Sequence, residues 1–260
     1  ISLEIYLVNM FVARIAGGDP AEIQQYPFAV ALLTNGGQGT TFSHGCGGTI
    51  LTTQAILSAA SCFYTNADVH PASWWRARVG STYSNAGGTI HIINRITPNP
   101  DFSPTTLAND IALLRTTLAM SLVPGSVEVA KLSGSAYTFA LDQLVRAIGW
   151  GATSNLDSSS SSELRDVQVF VIDQTTCTNR WSELSVTVTA NMVCTGWLDV
   201  GILGQCTGDA GSPLLDNGGM FVVGVFSRAQ GCGQGWYPDV NTRLQPYLPW
   251  ITVAAIASGL

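Results

Sequence analysis

Three short stretches carry side chains whose chemistry could be combined. Ser61 lies in Ser58-Ala59-Ala60-Ser61-Cys62, Asp110 in Asn109-Asp110-Ile111-Ala112-Leu113-Leu114, and Ser212 in Gly208-Asp209-Ala210-Gly211-Ser212-Pro213. A hydroxyl can attack a carbonyl when a base takes its proton as it attacks. Imidazole suits that task because it titrates near neutrality. The three histidines, His44, His70 and His91, all lie outside these stretches. Ser61 accepts no proton at ordinary pH, and the methyl of Ala210 offers no nucleophile. The histidines are scattered and there is no Cys-x-x-Cys, which argues against a zinc site. The six cysteines form an even set, and sequence alone does not choose their pairing.

The elements that must position these residues read as all-β. Short β-branched or aromatic runs alternate with Gly, Asn, Ser and Pro, and Phe28 to Leu33, Thr49 to Leu57, Thr89 to Ile96, Val167 to Ile172 and Met220 to Phe226 are expected strands. No long helical patterns alternate with them, which excludes a parallel α/β fold. Pro249 to Ala257 is the helix candidate, with Trp250, Ile251, Ala254 and Ala255 on one face. Ser158 to Ser162 reads as a flexible surface loop. Leu118 to Lys131, with Pro124 and Gly125, reads as the connection between two halves.

The 260 residues carry 11% charged and 46% hydrophobic residues and a net charge of −6. That balance argues against nucleic acid or an anionic membrane surface as partner. No apolar run approaches the ~18 residues of a membrane span. The apolar segment Ile1 to Val12 is short, is interrupted by Glu4 and Asn9, and does not read as a whole signal peptide. No Asn-x-Ser/Thr sequon occurs.

These motifs resemble the trypsin-like serine proteases. The Gly208 stretch is similar to the family's nucleophile loop, Gly-Asp-Ser-Gly-Gly-Pro, with Ala210 at the serine. The Ser58 stretch is similar to Ala-Ala-His-Cys, with Ser61 at the histidine. The Asp110 stretch matches the family's Asp-Ile-Ala-Leu segment intact. The resemblance implies two six-stranded antiparallel barrels of the chymotrypsin type and a closing C-terminal helix. It implies a division into a propeptide-like segment at 1–14, a first barrel at 15–126 and a second barrel with helix at 127–260. It pairs Cys46 with Cys62, Cys177 with Cys194 and Cys206 with Cys232, and puts an oxyanion-hole remnant at the amides of Gly208 and Ala210.

Arg14-Ile15-Ala16-Gly17-Gly18 looks like the family's activation junction. Cleavage after Arg14 would free the Ile15 amine for Asp209. In the uncut chain His44 becomes the expected partner of Asp209. The specificity pocket is altered. Gly204 stands where trypsin-like relatives carry an aspartate, and Ser227, Arg228 and Ala229 lie on the strand that pairs with substrate. Arg228 replaces an aromatic, while Ala229 and Asp239 each replace a glycine. Gly204 with Asp239 is similar to relatives whose pocket acid lies on the opposite wall. The stretch Gly80 to Arg95, where some relatives bind calcium, has no Asp or Glu, so no metal and no cofactor are expected.

Trp75-Arg76-Ala77-Arg78-Val79-Gly80-Ser81-Thr82 and Asn191-Met192-Val193-Cys194-Thr195-Gly196-Trp197 resemble digestive trypsin-like proteases of moths and butterflies. One lysine, Lys131, stands against ten arginines. Lysine loses its charge near pH ~10.4 and arginine does not, so the bias suits an alkaline gut lumen. Losing both nucleophile and base implies a protein that is not an enzyme. The resemblance then implies a secreted, monomeric serine protease homologue that binds peptides, protease inhibitors or microbial surfaces. The alternative is a weakly active or displaced-chemistry hydrolase using Ser61 or Ser212, or an active protease inactivated by substitution. Three departures together, at 61, 210 and 212, favour natural change over a single introduced one.

Overall fold

A computed structural model of the chain describes residues 18–154, 160–201 and 203–257. Six strands form the first barrel: β1 (Ala29–Thr34), β2 (Ser43–Ile50), β3 (Ala55–Ser58), β4 (Trp75–Val79), β5 (Thr89–Pro98) and β6 (Ala112–Thr116). They close in the order β1-β2-β3-β6-β5-β4. Six more form the second: β7 (Leu144–Gly149), β8 (Arg165–Ile172), β9 (Met192–Gly196), β10 (Pro213–Asp216), β11 (Phe221–Arg228) and β12 (Asp239–Arg243). Their order is β8-β7-β10-β11-β12-β9, and pairing of β8 with β9 closes the ring. The fold is therefore all-β, two six-stranded antiparallel barrels with a C-terminal helix.

Side-chain alternation explains how each strand serves its barrel. In β4, Trp75, Ala77 and Val79 are buried, while Arg76 and Arg78 between them are partly exposed. That is the period of two expected of a strand with one wet face. β1 is buried on both faces because it serves two cores. Val30 and Leu32 pack inside the first barrel. Ala29, Ala31 and Leu33 pack with Trp150, Leu215, Val225 and Leu244 of the second half. The seam between the halves is thus a hydrophobic core, and it lies beneath the loops that carry Ser61, Asp110 and Ala210.

Two elements differ from the sequence reading. The expected strand Thr49 to Leu57 is the hairpin of β2 and β3, with Ile50 opposite Ile56. Its turn has neither Gly nor Pro. The Thr52 hydroxyl organises it instead, accepting from the Gln54 and Ala55 amides at 3.2 and 2.9 Å. Helix α1 (Gln174–Ser182) was not expected from its polar sequence. Asp173 caps it by accepting from the Thr176 amide at 2.8 Å, and Trp181 anchors it by donating to the Pro238 carbonyl at 2.9 Å. Helix α2 (Leu248–Ala257) lies where the tail predicts one, and Trp250, Ile251, Ala254 and Ala255 all pack on the seam.

The serine-rich loop also needs correction. Ser158 and Ser159 lie outside the described residues, but Ser160 to Ser162 are held to the body. The Ser161 amide donates to the Gly151 carbonyl at 3.0 Å, and the Ser84 amide to the Ser162 carbonyl at 2.8 Å. Arg14 and Ile15 fall outside the described residues. The three disulfides are Cys46–Cys62, Cys177–Cys194 and Cys206–Cys232.

Candidate active site

Ser61 sits on a single 3-10 turn, Ala60–Phe63, that follows β3. Asp110 lies two residues before the start of β6 and has no exposed surface. A buried carboxylate is costly unless donors surround it, and three surround this one. The Ser61 amide donates to Oδ1 at 2.7 Å, and the Ser61 hydroxyl to Oδ2 at 2.8 Å. The Ser227 hydroxyl donates to Oδ2 at 2.6 Å from β11. Thr242 on β12 donates to the Asp110 carbonyl at 2.9 Å. Burial pushes the Asp110 carboxyl above the usual carboxylate range, and these hydrogen bonds with the nearby Arg228 only partly offset it. Arg228 is half-buried and donates to the Thr106 carbonyl, so it ties β11 to the loop before Asp110.

The loop from Gly208 to Pro213 is fixed through its backbone. Gly47 of β2 donates to the Ala210 carbonyl at 2.8 Å, and Gly211 donates to the Phe226 carbonyl at 2.9 Å. Gly211 has φ +84°, and a Cβ there would meet Ser58 Oγ at 2.1 Å and the Gly47 carbonyl at 2.5 Å. A side chain is excluded by both conformation and space. Ala210 is partly buried and packs against the first barrel's core. Ser212 is 1% exposed and wedged between β2 and β7, since a Cβ at Gly47 or Gly149 would come within 1.9 or 2.9 Å of its Oγ. That burial removes Ser212 as a displaced nucleophile.

Asp209 is fully buried in a glycine cradle, where a Cβ at Gly149 or Gly151 would strike its carboxylate at 2.1 or 2.4 Å. The amides of Gly151 and Cys206 donate to it at 2.7 and 2.9 Å. Burial nevertheless raises its pKa to about 7. The expectation that His44 partners Asp209 is corrected. His44 Nε2 lies 3.0 Å from the Gly208 carbonyl, one residue earlier. Burial lowers its pKa to about 4, so the ring is neutral and Nε2 carries the proton it donates. The backbone carbonyl satisfies Nε2 without any ion pair, while the buried Nδ1 has no partner among the described residues.

The residues expected to line a specificity pocket are drawn inward. Asp239 is 3% exposed, and its Oδ2 accepts from the Gln205 amide at 2.6 Å. Burial raises its carboxyl well above the ordinary range. A Cβ at Gly204 would meet the same oxygen at 2.6 Å, so this residue must be small for Asp239 to lie where it does. Ser227 is committed to Asp110, and Ala229 directly follows the Arg228 tether. Among the described residues no three His, Cys, Asp or Glu converge as metal ligands.

Residues 15–251 match the family described as Trypsin. The chain belongs to the trypsin family. It is 43% identical over 244 residues to "Trypsin, alkaline A" of Manduca sexta, covering 94% of this chain and 92% of that protein. It is also 43% identical over 244 residues to "Trypsin CFT-1" of Choristoneura fumiferana, covering 93% and 91%. Among solved structures it is similar to the scabies mite inactivated protease paralogue S-D1. The TM-score is 0.81 at 25% identity, over 93% of this chain and 97% of that one.

These relatives correct the expectation that the chain is not an enzyme. Proteins matched over nine-tenths of its length are named trypsins, which points to a protease. The expectation equated two absent side chains with absent chemistry. Yet a serine hydroxyl still lies on the buried carboxylate, within the same backbone frame. Sequence reasoning missed three supports of that frame: the Arg228–Thr106 tether, the Thr242 hydroxyl and the Ser58 hydroxyl on the Gly47 carbonyl. The first two join positions 122 and 132 residues apart, and the third crosses the β2–β3 hairpin.

Proposed function

We propose that this trypsin-family protein is a secreted, weakly active serine hydrolase whose reacting hydroxyl is Ser61. What supports the reading is the 2.8 Å hydrogen bond from Ser61 Oγ to Asp110. Ser61 also lines an open cavity of about 190 Å³. Burial makes Asp110 a stronger base than an ordinary carboxylate, which moves it toward the range useful for proton transfer. Ser61 Oγ bonds to the carbonyl carbon of an ester or peptide, and its proton passes to Asp110. The bond to the leaving group then breaks, and the departing oxygen or nitrogen takes that proton. Water attacks the acyl-serine with Asp110 again as base, and Ser61 is regenerated. Turnover is slow because a carboxylate remains a poorer base than imidazole at neutral pH.

The three disulfides fit an oxidising compartment outside the cell. The arginine bias fits an alkaline lumen, and a Manduca sexta relative is named an alkaline trypsin. The test is labelling with a fluorophosphonate, followed by mass spectrometry of the modified peptide. Slow labelling at Ser61, abolished by Ser61→Ala, is the expected result. No labelling over hours at high reagent concentration, or labelling at another serine, overturns the assignment.

A further inference from the structure

We infer that Asn217 is a site of spontaneous covalent modification, a base-driven deamidation with water as co-reactant. The chain has two Asn-Gly pairs, Asn35-Gly36 and Asn217-Gly218. In such a pair the glycine amide nitrogen, once it has lost its proton to hydroxide, can attack the asparagine Cγ. Glycine brings no Cβ to obstruct that approach. The new N–Cγ bond forms, the Cγ–Nδ2 bond breaks, and Nδ2 takes a proton from water and leaves as ammonia. Water then opens the five-membered imide ring to aspartate or isoaspartate. The change puts a carboxylate where a neutral amide stood.

The fold treats the two pairs differently. At Asn35 every reacting group is engaged. The Gly36 amide donates to Thr34 Oγ1 at 3.0 Å, Asn35 Oδ1 accepts from the Gly37 amide at 3.0 Å, and Asn35 Nδ2 donates to the Gly39 carbonyl at 3.1 Å. Asn217 lies in the turn between β10 and β11. The Gly219 amide donates to the Asp216 carbonyl at 2.9 Å, which makes Asn217 and Gly218 the two central residues, and both are exposed. Among the described residues the Gly218 amide has no partner, and neither has Asn217 Nδ2. Asn217 Oδ1 accepts one bond, from Nε2 of the exposed Gln168 at 3.1 Å. Exposed groups with so few bonds open more often than ordered, hydrogen-bonded ones. The attacking nitrogen is thus free at Asn217 and occupied at Asn35. Isoaspartate would insert an extra main-chain carbon into the turn joining β10, which follows the Ala210 loop, to β11, which carries Ser227 and Arg228.

The site is independent of Ser61 and of any hydrolase activity. To test it, the full chain is incubated at pH 10, and its peptides are mapped by mass spectrometry for a gain of about one mass unit. Isoaspartyl methyltransferase labelling reports the isoaspartate product. In the folded chain Asn217 should convert at least fivefold faster than Asn35. In urea, where both pairs keep only their shared local chemistry, that ratio should fall toward one. Conversion at Asn217 should rise with hydroxide between pH 8 and pH 10. Gly218→Ala should slow it at least fivefold. A Cβ there meets nothing nearer than Asp216 Oδ2, at 3.5 Å, so the variant keeps its fold, which circular dichroism checks. Equal rates at the two sites in the folded chain overturn the assignment, as does faster conversion at Asn35. A ratio that persists unchanged in urea also overturns it, since the fold would then not be its cause.

Discussion

Asp110 and Asp209 are both buried aspartates of the same seam, and they are supported in different ways. Asp110 receives two hydroxyls and an amide. Asp209 receives two backbone amides. The first arrangement is complete within the described residues. Ser61 supplies two of the three donations, so the carboxylate stays solvated by protein. The second is under-supplied, and burial holds its pKa at about 7. The glycine cradle lets the carboxylate approach the main chain closely but gives it few donors. The contrast is between a carboxylate supplied by side-chain hydroxyls as well as an amide and one supplied by main-chain amides alone.

The largest expected effect tests the completeness of the first node. Ser61→His together with Ala210→Ser should raise ester hydrolysis at least ~10³-fold, because nucleophile and base act as a unit. Ala210→Ser alone should change the rate little. Initial rates for the three proteins decide this, and a double variant no faster than the parent would mean that the node no longer orients an imidazole.

The second test addresses the deficit at Asp209. An unfolded aspartate titrates near ~3.9, and the folded group at about 7. The folded state therefore binds this proton more tightly. The stabilisation is full below pH ~4 and is lost as pH rises through 7. It amounts to roughly 4 kcal/mol. Urea unfolding from pH 4 to 8 should show that loss relative to Asp209→Asn, whose own curve lacks it. Cleavage after Arg14 that delivers an amine to Asp209 should remove the slope. Parallel curves for wild type and Asp209→Asn would show that the carboxylate is already paired.

The smallest effect sharpens the first node again. Ser227→Ala removes one of three donors from Asp110 and should cost about 1–3 kcal/mol at pH 8. The cost should shrink at acid pH, where the carboxyl is neutral. A loss below ~0.5 kcal/mol in chemical denaturation would mean that Ser61 alone supports the charge.

Much of this site was legible because its motifs are local. Gly208 to Pro213 and Asn109 to Leu114 name their positions by contiguous residues, and the described structure brings them to one seam. What was not legible depends on atoms that meet through the fold. A neutral His44 reaching the Gly208 carbonyl is one case, since the family resemblance offers His44 to Asp209 in the uncut chain and does not register the burial that discharges the ring. Asp239 turning onto the Gln205 amide is another. Among elements, the β2–β3 hairpin was read as one strand because a threonine hydroxyl does the work of a glycine. Helix α1 was missed because its buried contacts are few, and its cap, Asp173, carried the signal.

The way the first barrel grips residue 210 bears on how this lineage can change. Gly47 holds its carbonyl, and Gly211 beside it is locked against Ser58 and Gly47. These contacts use main chain and never touch the side chain at 210. Exchanging the methyl for a hydroxyl would leave those main-chain bonds in place and would change only the packing of residue 210 against the first barrel's core. Such a position acts as a socket: its frame is main chain and asks no hydrogen bond of the side chain it holds.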